Sequence, residues 1–336
     1  MRAVRWHARD DVRLDDVPVP VPGDGEVLVR VEAAAVCGTD VDEVRLGPVT
    51  VPIEVHPVSG RRAPITLGHE IVGVVAATEA GSPLPVGTRV APWPSRPCGR
   101  CRECLGGDEN RCPDTVALGM SADGGMADFL VADSGRCVPL DADVAVERAV
   151  LVEPYAVALR ALRRVPVAGR RVAVVGLGSL GVCVVESAVR AGAAEVVAVS
   201  RTASAFQVAR QAGAAGSVRA EDGTDVDAAI VFETAGAPEA IATSIRAARR
   251  GGTVVVLGGH VRPLPVDLLD VTVREVALVG SVSHTFADFR EAARAIGAGE
   301  LARVDRPIEL APLEAGPALL RAEGSAAKRI LVPSLG

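Results

Sequence analysis

Four cysteines fall within fifteen residues, spaced Cys98-x2-Cys101-x2-Cys104-x7-Cys112. Four soft thiolates in one short loop suit tetrahedral zinc with no open position, which makes the ion structural rather than reactive. An iron–sulfur cluster would accept the same ligands but fits this spacing less well. The intervening loop is polar (Arg100, Arg102, Glu103, Asp108, Glu109), and a metal would tie it down. Two shorter signals lie upstream, Cys37-Gly38-Thr39-Asp40 and Gly68-His69-Glu70, with Glu153 further on in Leu151-Val152-Glu153-Pro154. Each is weak alone. Combined, they offer a thiolate, an imidazole and carboxylates, and three such ligands with one open position make a catalytic zinc site. Beside a nicotinamide, that ion would polarise a carbonyl or stabilise an alkoxide.

A third motif, Gly176-Leu177-Gly178-Ser179-Leu180-Gly181, reads G-x-G-x-x-G. An apolar run (Val172–Val175) precedes it, a helical pattern follows, and a second strand pattern begins about twenty residues on, which is the setting of a dinucleotide fingerprint. Gly176 allows the tight turn, Gly178 the approach of a pyrophosphate, and Gly181 close packing of helix on strand. Ser179 and Leu180 then lie at the helix start, where free N–H groups face the phosphates. The second strand ends Val199-Ser200-Arg201. NAD sites normally carry Asp or Glu at that end. With Ser200 there and Arg201 next, repulsion of a 2′-phosphate is gone and a guanidinium is at hand, so the expected cofactor is NADP(H) rather than NAD(H).

These groups need two kinds of scaffold. Residues 1–150 carry short Val-rich runs (Glu26–Glu32, Ile71–Ala76, Phe129–Ala132) between Pro/Gly turns, the pattern of a mainly-β barrel or sandwich. From residue 151 strands and helices alternate: strands at Arg171–Val175, Glu195–Ser200, Asp227–Glu233, Thr253–Leu257 and Ala277–Gly280, with helices at Val157–Arg164, Gly178–Arg190, Ala203–Ala212 and Pro238–Arg249. That alternation predicts an α/β fold with a doubly wound parallel sheet over 151–289. A helix at Phe286–Ala298 follows, and the tail, 290–336, is expected to rejoin the first domain through a closing strand at Ile330–Pro333.

The 336 residues exceed what one core usually holds, and 49% apolar with 23% charged residues is an ordinary globular balance. A net charge of −6 and 2% aromatics argue against a nucleic-acid partner or a base-stacking groove. Seven cysteines, an odd number, argue against a disulfide framework. No apolar run reaches the ~18 residues of a membrane span, and Met1–His7 lacks a signal-peptide pattern, so a cytoplasmic location with no membrane partner is expected. Lys328 is the only lysine, which reads as compositional bias.

Together these motifs, with Gly124-Gly125-Met126-Ala127-Asp128-Phe129, resemble the zinc-dependent medium-chain alcohol dehydrogenases over almost the whole chain. The resemblance implies a GroES-like catalytic domain and a Rossmann domain. Leu46-Gly47-Pro48, the extended loop His56–Leu67 and Glu153-Pro154 are most similar to the 2,3-butanediol and sorbitol dehydrogenase branch. It also implies that Cys37, His69 and either Glu70 or Glu153 bind the catalytic zinc, and that Thr39 bonds the substrate oxygen. The family often has His three residues beyond that hydroxyl to relay the proton; here it is Asp42.

Two zinc ions per chain are therefore expected, with hydride transfer between NADP(H) and a secondary alcohol or ketone, vicinal diol or polyol-like substrate. A cyclitol or aminocyclitol dehydrogenase is the nearest variant. A zinc-independent double-bond reductase and a non-catalytic nucleotide sensor of the same fold are the other classes, and both zinc motifs count against the reductase. Side chains around Thr39, Val49–Ile53, Tyr155 and Ser281–Phe286 are expected to shape the substrate pocket. Ala277–Gly280 would be a sheet edge open to pairing, which favours a homodimer or homotetramer.

Overall fold

A computed structural model of the chain describes residues 1–79, 82–222, 226–302, 307–322 and 327–335. It divides into two units. One comprises Met1–Glu153, Thr285–Gly297 and Pro307–Gly336; the other comprises Pro154–His284 and Ala298–Arg306. The tail thus returns to the first unit in two pieces, not as one segment from 290, because Ala298–Arg306 groups with the second unit.

In the first unit the strand Glu26–Ala35 is central. Val27, Val29, Val31 and Ala33 alternate inward and are buried, as the two-residue strand period requires. One edge pairs antiparallel with Glu70–Thr78. The other edge is shared, by Phe129–Asp133 at the strand's start and Lys328–Leu331 at its end. Arg89–Pro92 and Cys137–Pro139 extend the sheet on one side and Ile308–Ala311 on the other. A second sheet, ordered Asp11–Asp16, Arg2–Ala8, Ile65–Thr66, shares its core: Trp6, Ile65, Leu67, Val29, Met126 and Leu331 are all buried in one cluster.

The second unit holds a six-stranded parallel sheet in the order Gly216–Arg219, Glu195–Ser200, Arg171–Val175, Ala228–Glu233, Ala248–Val256, Ala277–Gly280. Val172–Val175, Val196–Val199 and Ile230–Phe232 are unbroken buried runs, as strands covered on both faces must be. The winding direction reverses between Arg171–Val175 and Ala228–Glu233. The carboxyl ends of those two strands therefore frame the crevice where such sheets take ligands.

Two expectations need correction. The helix from Pro238 ends at Ala247, and the following strand begins at once at Ala248 instead of Thr253; its Gly251, at φ +67°, accommodates the irregular start. The strand Gly216–Arg219 went unpredicted because its Ala/Gly-rich surroundings carry little β-branched signal.

The chain passes from the Arg171–Val175 strand to the Ser179–Arg190 helix through the fingerprint. Gly176 sits at φ +97°, and a Cβ at Gly181 would lie 2.0 Å from the Gly176 carbonyl oxygen. At Gly178 a Cβ would meet nothing within 4 Å. Gly181→Ala is therefore expected to destabilise the second unit by about 1–3 kcal/mol, because the helix must move off the turn. Gly178→Ala should leave stability nearly unchanged. Calorimetric unfolding of the two variants, without cofactor, checks the contrast.

Candidate active site

Cys37 leaves the end of the Glu26–Ala35 strand and caps the helix Gly38–Leu46. Its N–H donates to Asp40 Oδ2 at 2.9 Å, so the carboxylate closes the first turn and fixes the cysteine backbone. His69 and Glu70 stand where the neighbouring strand begins. Gly68 precedes them at φ +94°, and Cβ atoms at Gly119 or Gly124 would come within 2.6 or 2.2 Å of the Gly68 carbonyl oxygen. Three glycines thus let this turn seat against the Gly119–Gly125 loop. The ligating atoms of Cys37, His69 and Glu70 all fall within 4.8 Å of one another.

Charged neighbours support these three. Asp40 Oδ1 lies 3.6 Å from His69 Nδ1, and both residues are buried. A carboxylate behind one ring nitrogen leaves the other for a ligand, the usual support of a metal-bound histidine. Burial opposes charge on His69, but Asp40 and the Cys37 sulfur outweigh it and raise its pKa well above the ordinary value. Lys328 Nζ lies 2.8 and 2.6 Å from the two Glu70 oxygens and donates to the Val36 carbonyl at 3.0 Å. Burial raises the Glu70 pKa; Lys328 opposes that, and Glu153 adds to it, so Glu153 stands close enough to be felt electrostatically. A half-buried thiol with a buried imidazole and carboxylate, converging on one point, fits a divalent cation of intermediate softness.

Thr39 and Asp42 occupy positions i and i+3 of the capped helix, on one face. Thr39 Oγ1 is 3.8 Å from Cys37 Sγ. Burial raises the Asp42 pKa above the ordinary carboxyl value, against the pull of Arg45.

The second cluster joins Cys98, Cys101, Cys104 and Cys112, also within 4.8 Å of one another. Cys101 caps the short helix Arg102–Leu105, and the Cys98 N–H donates to Cys112 Sγ at 3.3 Å. Backbone N–H groups of Arg100 and Cys101 bring the Cys98 pKa down to about 7, while burial and the neighbouring thiols push Cys104 up to about 12. Four sulfurs this close do not all ionise without a cation between them, which is the condition a structural zinc meets. These two clusters are the groups of three or more ligating side chains found among the described residues.

In the second unit, Gly178 caps the Ser179–Arg190 helix, and the open space at its α-carbon leaves room for a phosphate at the helix N-terminus. Ser200 ends its strand nearly buried, its Oγ accepting the Thr202 N–H at 3.1 Å. Arg201 is exposed beside it, and Arg219 stands opposite Ser200 on the neighbouring strand.

Lys328 was invisible as a site residue in the sequence, where it looked like a compositional remnant; only its pairing with Glu70, 258 residues away, reveals it. Arg219 likewise needs the strand pairing to be seen. Tyr155 is not the pocket residue it was expected to be: it is fully buried, and its hydroxyl donates to Glu186 on the Ser179–Arg190 helix.

Known families and proteins agree with this geometry. The family described as alcohol dehydrogenase GroES-like domain matches residues 23–142, and that described as zinc-binding dehydrogenase matches 179–298. An L-threonine 3-dehydrogenase of Symbiobacterium thermophilum is 31% identical, with 100% of this chain and 98% of that protein covered. A sorbitol dehydrogenase of Gallus gallus is 32% identical over 83% of this chain and 81% of its own length. A solved structure from Sinorhizobium meliloti 1021, described as a zinc-binding dehydrogenase bound to NADP, superposes with a TM-score of 0.87 at 28% identity, covering 99% of both chains. No described helix is long and apolar enough to cross a membrane. The chain belongs to the zinc-type medium-chain alcohol dehydrogenase family and is an NAD(P)-dependent oxidoreductase of alcohols.

Proposed function

We propose that the chain interconverts a secondary alcohol and its ketone with NADP(H), on a substrate whose neighbouring carbon bears a hydroxyl or other polar group. The observation that carries the reading is the convergence of Cys37, His69 and Glu70, backed by Asp40 and Lys328. The relatives named for threonine and sorbitol support the substrate class, since each name denotes an alcohol with a polar neighbour.

Cys37 and His69 hold the catalytic zinc with Glu70 as third ligand, and Glu153 is the carboxylate available to exchange with it. Cys98, Cys101, Cys104 and Cys112 hold a second, structural zinc. Bound zinc supplies Lewis acidity at the substrate oxygen, and bound nicotinamide supplies the hydride acceptor or donor. The protein's own groups do the rest. Asp40 keeps His69 oriented. Lys328 opposes the rise that burial brings to the Glu70 pKa. Thr39 bonds the substrate oxygen and takes its proton in the oxidative direction, passing it toward Asp42. The raised pKa of Asp42 suits it to accept a proton nearer neutrality than an exposed aspartate would.

For the cofactor, Gly176, Gly178, Ser179, Leu180 and Gly181 seat the pyrophosphate. Ser200 leaves the strand end without a carboxylate, and Arg201 beside it, with Arg219 opposite Ser200 on the next strand, would pair a 2′-phosphate. The NADP-bound structural relative supports this preference. For assembly, the Ala277–Gly280 edge strand pairs with a second copy of the chain. Leu278 and Val282, with Leu268, Leu269 and Val273 on the preceding helix, are exposed along that edge.

Metal analysis of the purified protein should give two zinc per chain. Cys37→Ser should retain one, stay folded and lose turnover of butane-2,3-diol and sorbitol by about 10³-fold or more. Cys101→Ser should also retain one zinc but unfold at lower temperature. A wild-type protein with zinc at neither cluster would overturn the assignment. Arg201→Ala should weaken NADPH about 10- to 100-fold while leaving NADH nearly unchanged, read as kcat/KM for each cofactor. Leu278→Arg should shift a dimer or larger assembly toward monomer in sedimentation equilibrium.

A further inference from the structure

Glu233 ends the strand Ala228–Glu233 at the crevice where the sheet winding reverses, with Val175 as its neighbour across the strand pair. Its side chain is fully buried and fully used. Oε1 accepts the N–H groups of Ala235 at 2.8 Å and Gly236 at 2.9 Å, and Oε2 lies 3.0 Å from His260 Nε2. Its backbone carbonyl accepts Leu257 N–H at 2.9 Å and Gly258 N–H at 3.1 Å. One residue therefore fastens two loops, 234–237 and 257–260.

Both loops border the fingerprint or each other with no room to spare. A Cβ at Gly176 would meet the Ala235 Cβ at 2.7 Å. A Cβ at Gly258 would come within 2.3 Å of Gly236 N and 2.5 Å of Glu233 Oε2. Thr234 Oγ1 donates to the Gly176 carbonyl at 2.8 Å, so the first loop is bonded directly to the turn expected to carry the pyrophosphate. His260 closes the arrangement from the second loop. Bonded to a carboxylate, its Nε2 carries the proton. Its Nδ1 is buried and has no hydrogen-bond partner among the described residues, so the ring's polar anchoring runs through Nε2. A carboxylate with no exposure also requires a strong donor opposite it, or its charge stays uncompensated next to a site for an anionic ligand.

We propose that Glu233 and His260 form a positioning pair for the dinucleotide: by clamping the 257–260 loop against the 234–237 loop they preset the wall of the cofactor crevice. Both residues act through loop order and neither performs chemistry. The inference rests on reading the fingerprint as an NADP(H) site.

The test measures NADPH binding to the zinc-loaded protein by calorimetric titration, together with steady-state kinetics. Wild type must bind NADPH; if it does not, the cofactor reading itself fails. Given binding, His260→Leu is expected to raise the NADPH dissociation constant and KM about tenfold, with kcat within twofold of wild type. Its unfolding temperature without cofactor should fall, because Glu233 loses its donor, so binding and kinetics are read well below that transition. His260→Gln, whose amide can donate from nearly the Nε2 position, should restore binding to within about twofold. Unchanged NADPH affinity in His260→Leu overturns the proposal. So does a His260→Gln protein as weak as His260→Leu, or a fall in kcat that matches the rise in KM.

Discussion

A single buried ion pair holds the cluster of Cys37, His69 and Glu70 in register. Ala35 is the cross-strand partner of both Glu70 and Ile330, so the strands bearing Glu70 and Lys328 flank one strand end, and the ammonium reaches across it to the carboxylate. The same ammonium bonds the Val36 carbonyl, one residue before Cys37. Cys37 and the adjacent pair His69–Glu70 come from two separate stretches of chain, and the Lys328 bonds tie both to a third. Breaking a buried pair by removing one partner typically costs about 3–5 kcal/mol, because the other charge is left stranded. A metal cation at Glu70 would compete with Lys328 for the same oxygens, and that competition would weaken the carboxylate's hold on the ion.

Buried carboxylates are used elsewhere in the same way, as fasteners of loops that carry no regular hydrogen-bond ladder. Glu43, nearly inaccessible on the Gly38–Leu46 helix, accepts the N–H groups of Val49, Thr50 and Val51 at 2.9, 2.6 and 3.1 Å. It thereby folds the 49–51 loop back onto the helix that carries Thr39 and Asp42. Half-buried Asp128 likewise takes the Arg2 N–H and guanidinium, pinning the first strand. In each case backbone donors that would otherwise be orphaned are satisfied by an acceptor with several lone pairs. Loops so held need no repetitive structure to be well defined.

The motifs legible in the sequence were those whose chemistry is local. The four cysteines from Cys98 to Cys112 and the glycines from Gly176 to Gly181 carry their geometry in their spacing, because one loop or one turn contains each set. Glu195–Ser200 and Ala277–Gly280 were readable as strands from uninterrupted apolar runs. What stayed hidden depends on pairing between distant segments. Lys328 meets Glu70, and Arg219 faces Ser200, only through sheet registers that no local pattern encodes. Tyr155 was misplaced for a related reason. Its neighbour Glu153 belongs to a catalytic motif, but a helix turns successive residues about 100° apart, and Tyr155 points into the core toward Glu186.

The burial of Lys328 reaches beyond the active site. It is the chain's sole lysine, so no flexible primary amine projects from any side chain, and the remaining basic side chains are guanidinium groups and a few imidazoles. Guanidinium stays protonated far above the pH at which surface ammonium groups discharge. The exterior of this protein therefore keeps its cationic groups in strongly alkaline solution. Reagents that acylate or cross-link through amines will find no side chain to attack while the fold is intact.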